Sequence, residues 1–327
     1  MSHAPKNKLT WQSQAAFATL RFRAEILTKI RQFFLTRNIL EVETPLLSQA
    51  IGTDPHLHFF TTELNHPDLN LKQIYYLQTS PEFAMKRLLA QGIGSIYQIT
   101  KAFRNSDMGQ IHNPEFTILE WYRTGFTYTE LMQEVGELLK IIIPSAQLNF
   151  LTYRQVFLNY VNFNPITATP EFISQFCQKN LNLNKVIADK DTGLQLIMAE
   201  LIEPSLPSDN FIFIYDYPAS QAALSTIKSD DPTLAERFEV YYNGLELANG
   251  FQELTHHEEQ YQRFLKDIKK RKILNYPIPP IDQNFLAALE HGLPFCAGVA
   301  LGIDRLIMAA CNAKHINKVI SFTHELS

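Results

Sequence analysis

The chain has 327 residues, of which 46% are hydrophobic and 19% charged, with a formal net charge of −4. That is ordinary globular composition with enough apolar material for a large core. It speaks against the broadly cationic face with which proteins grip nucleic-acid backbones, and no apolar run is long enough to span a bilayer.

The N-terminus reads as lacking a signal peptide, because polar residues follow Lys6 and Lys8. The helical pattern runs from Trp11 to Asn38, where Leu20, Ala24, Leu27, Arg31 and Phe34 step by four and three, an apolar stripe broken only by Arg31. Leu40 to Leu47 reads as a strand ending near Pro45. His56 and His58 have no second pair nearby and do not read as a zinc site. Ile74 to Gln78 reads as a strand, and Pro81 suits the first turn of the helix that follows. Ser95 to Arg104 and Glu115 to Arg123 read as strands around a polar loop, and Thr127 to Glu130 is a capping box before an apolar run to Ile143.

Residues of about 145 to 235 are rich in Asn, Asp and Pro and read as a helical insertion in a single domain spanning 1–327, with Phe211 to Tyr215 a short buried strand. Asn243-Gly244 signals a hairpin. Thr255 to Glu258 reads as a second capping box, opening a helix toward Leu274. Its basic run, Lys266, Lys269, Lys270, Arg271 and Lys272, reads as a solvated helix end, where cations suit the dipole. Phe295 to Gly298 reads as a strand and Leu301 to Ala310 as a closing helix. So many hairpin-like junctions predict a largely antiparallel sheet wrapped by helices. The three cysteines, Cys177, Cys296 and Cys311, lack metal-ligand spacing and cannot all pair, so the chain reads as reduced and cytoplasmic.

Four stretches carry chemistry. On the strand after the polar loop, Phe116, Ile118, Glu120 and Tyr122 share a face, and Thr117, Leu119, Trp121 and Arg123 share the other. A carboxylate flanked by aromatic rings suits an ammonium ligand. Taken alone, the stretch serves equally as a half-buried strand with one stray glutamate. Around Asn243-Gly244, a two-residue turn pairs Tyr242 with Leu245, Tyr241 with Glu246 and Glu239 with Ala248. Glu239 and Glu246 are then diagonal neighbours, about 7–8 Å apart at the backbone. Two like charges so placed suit a cation such as magnesium on nucleotide phosphates. The stretch Asn249-Gly250-Phe251-Gln252-Glu253 puts Asn249, Phe251 and Glu253 on one face, and a bulge near Gly250 would turn that face toward Glu246. Finally, Gly298 to Leu306 joins small residues to a helix start, where Arg305 opposes the dipole unless it meets a polyphosphate.

Together these stretches resemble the class II aminoacyl-tRNA synthetases, specifically the lysyl branch. Glu41-Val42-Glu43-Thr44-Pro45 resembles the first class motif, which builds the dimer interface in that family. Phe103 to Tyr122 resembles the second motif and Gly298 to Arg305 the third, while Thr79 to Glu82 and Asn249 to Glu253 resemble the lysine pocket. The resemblance covers nearly the whole chain outside the insertion, and five stretches in order are far more specific than any one. It implies an α+β class II catalytic fold, a mainly antiparallel sheet flanked by helices, using ATP and Mg2+.

By this resemblance Arg104 and Arg305 are catalytic. Arg104 meets the α-phosphate and the amino-acid carboxylate, Arg305 meets the γ-phosphate, and Phe116 stacks on adenine. Asn105, Ser106, Asn113, Glu246, Leu247 and Gly302 complete the ATP site, and Glu239 and Glu246 hold the metal. Ser80, Pro81, Glu82, Glu120, Tyr122, Asn249, Phe251, Glu253 and Ala300 form the substrate site.

Three departures refine the expectation. The chain begins only one helix before the first motif, leaving no room for the anticodon-binding barrel of lysyl-tRNA synthetases. Ala300 stands where the third motif usually has glycine, and one added methyl shifts substrate discrimination by ~1–3 kcal/mol. Ser106 replaces a glutamate that contacts the adenine amino group, with Asp107 the available substitute. A truncated lysyl-type core with Ala300 resembles the bacterial elongation factor P–(R)-β-lysine ligases. That resemblance implies adenylation of (R)-β-lysine or lysine, transfer to a lysine side chain of elongation factor P, a homodimer, no membrane association and no anticodon recognition. The competing expectations are transfer to tRNA or a small molecule by the same chemistry, and an inactive paralogue acting as a binding module.

Overall fold

The computed structural model describes residues 11–66, 68 and 71–327. Lys6 and Lys8, on which the signal-peptide reading rests, lie outside them. An eight-stranded sheet runs through the molecule. Its strands are β1 (Leu40–Glu41), β5 (Ile96–Phe103), β6 (Glu115–Thr124), β7 (Gln147–Thr152), β8 (Asn210–Pro218), β9 (Leu234–Tyr242), β10 (Leu245–Gln252) and β11 (Cys296–Gly302). The order is β1-β5-β6-β11-β10-β9-β8-β7. Only the two outermost pairings, β1 with β5 and β7 with β8, are parallel. A separate three-stranded sheet comprises β2 (Leu47–Ser48), β3 (Thr61–His66) and β4 (Leu71–Leu77). The expected α+β, mainly antiparallel architecture is therefore present. The single strand expected over Leu40 to Leu47 is instead two short strands joined by extended chain.

One face of the large sheet packs under α1 (Phe17–Leu35), α3 (Tyr128–Ile142) and α9 (Ile303–Cys311). α3 starts as expected: the Thr127 side chain accepts from Glu130 N–H and the Glu130 carboxylate accepts from Thr127 N–H. Its Glu134 accepts from Trp121 Nε1 at 3.0 Å, tying helix to strand. α1 buries Ile26, Ile30, Phe33 and Phe34; Arg31, the break in the expected stripe, is exposed, but so is Ala24. The two aromatic residues at its end set the phase, since Phe34 packs against both Tyr97 and Trp121.

The opposite face is covered only at its ends. At one end lie α2 (Glu82–Ala90), α7 (His257–Ile273) and α8 (Gln283–Gly292), packed on Ile96, Tyr122 and Cys296. At the other end, α4 (Tyr153–Val161), α5 (Pro170–Asn180) and α6 (Lys190–Ile197) pack on Ile212, Ile214 and Tyr241. Residues 145–235 thus hold these three helices and also β7 and β8, which extend the main sheet. Between the two helical groups the middle strands stay open.

Three local expectations are corrected. The β9–β10 hairpin turns at Asn243 (φ 51°) and Gly244 (φ 73°), as the type I′ signal requires. Tyr242 pairs with Leu245 and Tyr241 with Glu246, but Glu239 pairs with Asn249 and not with Ala248. The extra residue is Leu247, so the bulge lies three positions before Gly250. Leu247 is buried in the main core, and that packing fixes where the ladder slips. The cap of α7 is His256, whose Nδ1 accepts from Glu259 N–H at 3.3 Å, and not Thr255. Lastly, Arg271 is not solvated. It is fully buried, and its guanidinium donates to the carbonyls of Thr53, Asp54, Leu57 and Pro277. Lys269 and Lys272 are exposed, as the helix-end reading requires.

Among the described residues, no helix is long and apolar enough to cross a membrane. There too, no group of three or more His, Cys, Asp or Glu is arranged to hold a metal by itself. All three cysteines are unpaired.

Candidate active site

The open trough over the middle strands is a cavity of about 1030 Å³. All nine expected substrate-site residues line it, as does Arg104. The alternation of β6 aims Glu120 and Tyr122 into it. The bulge at Leu247 rotates β10 by one position, so Asn249 and Phe251 face the same side as Glu246. Gly298 gives the cavity room: a Cβ there would collide with Glu253 Oε1 and the Tyr122 ring.

One end of the cavity is acidic. Glu120 accepts from Tyr122 OH at 2.6 Å and from Ser80 Oγ at 2.7 Å, and Ser80 Oγ also accepts from Glu82 N–H at 3.1 Å. Behind these groups sits Lys86, 1% exposed, paired with Glu82 at 2.6 Å and in direct contact with Glu253. Burial, then the charge of Glu82, pushes Glu120 up to about 7. Burial pushes Glu253 up to about 8, against the pull of Lys86. Burial alone would lower the Lys86 ammonium, but Glu253 and Glu82 outweigh it and hold it well above its ordinary value. Three carboxyl groups in a closed pocket are poised to receive ammonium charge.

The other end holds Arg104, with Asp54 also in the lining, whereas Phe116 and Arg305 stand outside it. Arg104 lies 5.1 Å over the Phe116 ring. Arg104 lines the cavity, and its Nε is buried without a hydrogen-bond partner among the described residues. Burial lowers the Arg104 pKa. Arg305 donates to Glu246 O at 2.9 Å and lies 2.5 Å from His112 Nε2. Burial and the Arg305 charge lower His112, which leaves its ring nitrogen free to accept.

Glu239 and Glu246 line a smaller adjoining cavity of about 170 Å³, which shares Arg237 and Gln221 with the larger one. Glu239 is held by Arg237, by Tyr217 OH at 2.7 Å and by Tyr241 OH at 2.5 Å. Burial, then Glu239, raises Glu246, while Arg305 and Arg104 oppose the rise. A third acid, Glu203 at the end of the insertion helices, is pushed up to about 7 by burial and by the same two glutamates. Two carboxylates cannot enclose a hard cation, so a metal here would take its remaining oxygens from phosphate or water.

The remaining expected nucleotide residues are spread more widely. Asn105 and Ser106 are exposed on the loop after β5, where Ser106 adopts φ 81°. Asn113 is buried and engaged internally, donating to Glu115 O at 2.6 Å and accepting from His324 N–H at 3.0 Å. Gly302 packs beside the Leu247 carbonyl. Sequence reasoning missed Lys86, Arg237, Tyr217, His112 and Glu203. Two had a usable signal: Lys86 follows Glu82 by four residues on one helix face, and Arg237 precedes Glu239 by two on one strand face.

The trough, its opposed charges and the antiparallel sheet beneath define a class II synthetase catalytic core, and comparison agrees. The family model described as tRNA synthetases class II (D, K and N) matches residues 3–326, and the chain belongs to that family. Among its relatives, the elongation factor P–(R)-beta-lysine ligase of Hamiltonella defensa is 48% identical over 318 residues, 96% of this chain and 98% of that one. The protein of the same name from Vibrio cholerae is 48% identical over 315 residues, covering 95% and 97%. That from Haemophilus ducreyi is 45% identical over 322 residues, covering 98% of each.

Proposed function

We propose that the protein is an ATP-dependent ligase that activates (R)-β-lysine, or lysine, as an aminoacyl-adenylate and transfers it to a lysine side chain of elongation factor P. One observation carries the reading: three carboxyl groups and the Arg104 side chain line a single cavity, over the sheet of a chain that belongs to the class II synthetase family. The names of relatives 45–48% identical over nearly the full chain supply the acceptor and the isomer, and favour this acceptor over tRNA.

The acidic end takes the ammonium groups, which leaves the substrate carboxylate toward Arg104. Arg104 and Arg305 hold the triphosphate and neutralise developing charge, so positioning and electrostatics supply the catalysis. The carboxylate oxygen attacks the α-phosphorus, the bond to the bridging oxygen of pyrophosphate breaks, and pyrophosphate leaves. The neutral amine of the acceptor lysine then attacks the acyl carbon. The bond to AMP breaks, an amide forms, and the nitrogen loses one proton. Glu239 and Glu246 would hold magnesium, which neutralises phosphate charge when bound.

We further take the protein as a cytoplasmic homodimer. The first-motif segment carries exposed Leu40, Leu46 and Leu47, apolar surface that a second copy would cover. The test of function is ATP–pyrophosphate exchange with L-lysine, (R)-β-lysine and (S)-β-lysine in parallel, then intact mass of elongation factor P after incubation. Exchange with (R)-β-lysine and a gain of one lysyl mass are expected. Exchange without a mass gain would reject the acceptor, and no exchange would reject the chemistry.

A further inference from the structure

Lys86 does not line the cavity, yet among the described residues it is the only cation ion-paired with the acidic cluster. It is 1% exposed, among the largest fully buried side chains, and both of its carboxylate partners do line the cavity. A lysine almost never stays buried unless it is paired, and here one ammonium is divided between Glu82 and Glu253.

Among the described residues, the other groups near this cluster are uncharged or, like Arg263, paired elsewhere, apart from Arg87 of α2, which lines the same cavity and is exposed. From β6, Tyr122 is a neutral donor, since burial and the surrounding carboxylates raise its phenol far above the ordinary value. From β11, burial pushes the Cys296 thiol up to about 12. From α8, the Phe285 ring lies 5.8 Å from Lys86 Nζ. α7 contributes Gln260, and Arg263, whose guanidinium is occupied by Glu259 and the carbonyls of Ala223 and Ser225. The fully ionised cluster therefore comprises three carboxylates, Glu82, Glu120 and Glu253, against one ammonium.

We propose that Lys86 is a positioning residue that fixes the loaded amine pocket at two net negative charges, so that two ammonium groups fill it and one does not. This rests on the adenylation reading above. Without Lys86 the pocket would carry a third uncompensated charge, which burial would remove by keeping one carboxyl protonated. With it, Glu82 and Glu253 are held in place, and Glu253 can ionise when the substrate arrives. A monoammonium amino acid compensates only one charge, and one carboxyl then stays protonated.

The test compares wild-type protein with Lys86→Met by ATP–pyrophosphate exchange from pH 6 to 9, varying (R)-β-lysine and L-lysine. Losing a buried cation raises the carboxyl pKa values, so the amine KM profile moves to higher pH. About a tenfold rise in amine KM at pH 7 is expected, one pH unit being tenfold, with the KM for ATP within about twofold. Superimposable profiles overturn the role of Lys86. Wild type that gives no amine-dependent exchange sinks the adenylation reading itself, which separates the two failures.

Should Lys86→Met fail to fold, calorimetric titration of wild type in buffers of different ionisation enthalpy counts the protons. At pH 7, L-lysine should release about one proton more than norleucine, which lacks the second ammonium. Equal release overturns the charge count.

Discussion

Gly298→Ala adds one methyl at the tightest point of the amine pocket. Gly298 sits in a strand, pairing with both Tyr122 and Phe251, so its extended backbone tolerates alanine. The added Cβ nonetheless meets Glu253 Oε1 and the Tyr122 ring closer than 3.0 Å. Neither neighbour can give way cheaply. Tyr122 is 2% exposed and bonded to Glu120 at 2.6 Å, and Glu253 is locked by Lys86. Overpacking of this kind costs about 1–3 kcal/mol of stability. Moving either group also spoils one charge-assisted contact to a substrate ammonium, about 1.5–3 kcal/mol, or roughly 10- to 150-fold in affinity. The assay is ATP–pyrophosphate exchange with the amine and ATP varied separately, alongside thermal unfolding. The amine KM should rise by that factor while the KM for ATP barely changes. An amine KM within about threefold of wild type would falsify the placement of Glu253 and Tyr122 against the substrate.

Arg104→Ala should cut amine-dependent exchange by at least about 100-fold in kcat/KM, since it removes a guanidinium that lines the cavity where the phosphate charge develops; wild-type exchange in the variant refutes the assignment. Affinity for the amine should rise with pH. Glu253 near 8 and Glu120 near 7 are largely protonated at pH 6 and must both ionise to pair with ammonium, so KM should fall by about fiftyfold from pH 6 to pH 7, about ninefold from Glu253 and about fivefold from Glu120; a flat profile counts against the buried carboxyls as ligands. The same raised pKa values stabilise the free protein fully below the unfolded carboxyl value, and that stability is lost as pH rises through 7 to 8. The unfolding temperature of the free protein should therefore drop over that range, and added substrate should restore more of it at pH 8 than at pH 6. Arg271→Ala should cost about 3–5 kcal/mol in urea unfolding, because four backbone carbonyls lose a buried charged donor; a change under about 1 kcal/mol would show that water replaces it freely.

What the sequence disclosed tracks how local the physics is. The Thr127 capping box and the Asn243-Gly244 turn are decided by a few adjacent residues, and both stand where they were expected. The alternation on β6 needed only the two-residue repeat of a strand. The α1 stripe failed because a helix pattern with apolar residues on several sides can be phased two ways, and contacts with Tyr97 and Trp121 choose between them. The bulge position depends on Leu247 finding the core, which no local rule encodes. Lys86 was hidden for the same reason. On its helix it looks like any surface lysine, and the glutamate that buries it follows a strand far along the chain. Likewise Arg271 sits inside a run of solvated cations, and only the loop at residues 53–57 singles it out.

The arrangement of charge along the trough also decides which way round the substrate lies. Glu120 pairs with Gln98 on β5, and Arg104 lies six residues further along the same chain. At about 3.3 Å per strand residue the two backbones are about 20 Å apart, a span that their side chains shorten. A diamino acid with its side-chain ammonium at the far end and its second ammonium close to the carboxylate meets attraction at both ends in one orientation and repulsion at both in the reverse. The attractive orientation presents the carboxylate to Arg104, beside the ring of Phe116. Electrostatics alone therefore aligns the nucleophile before any phosphate is bound.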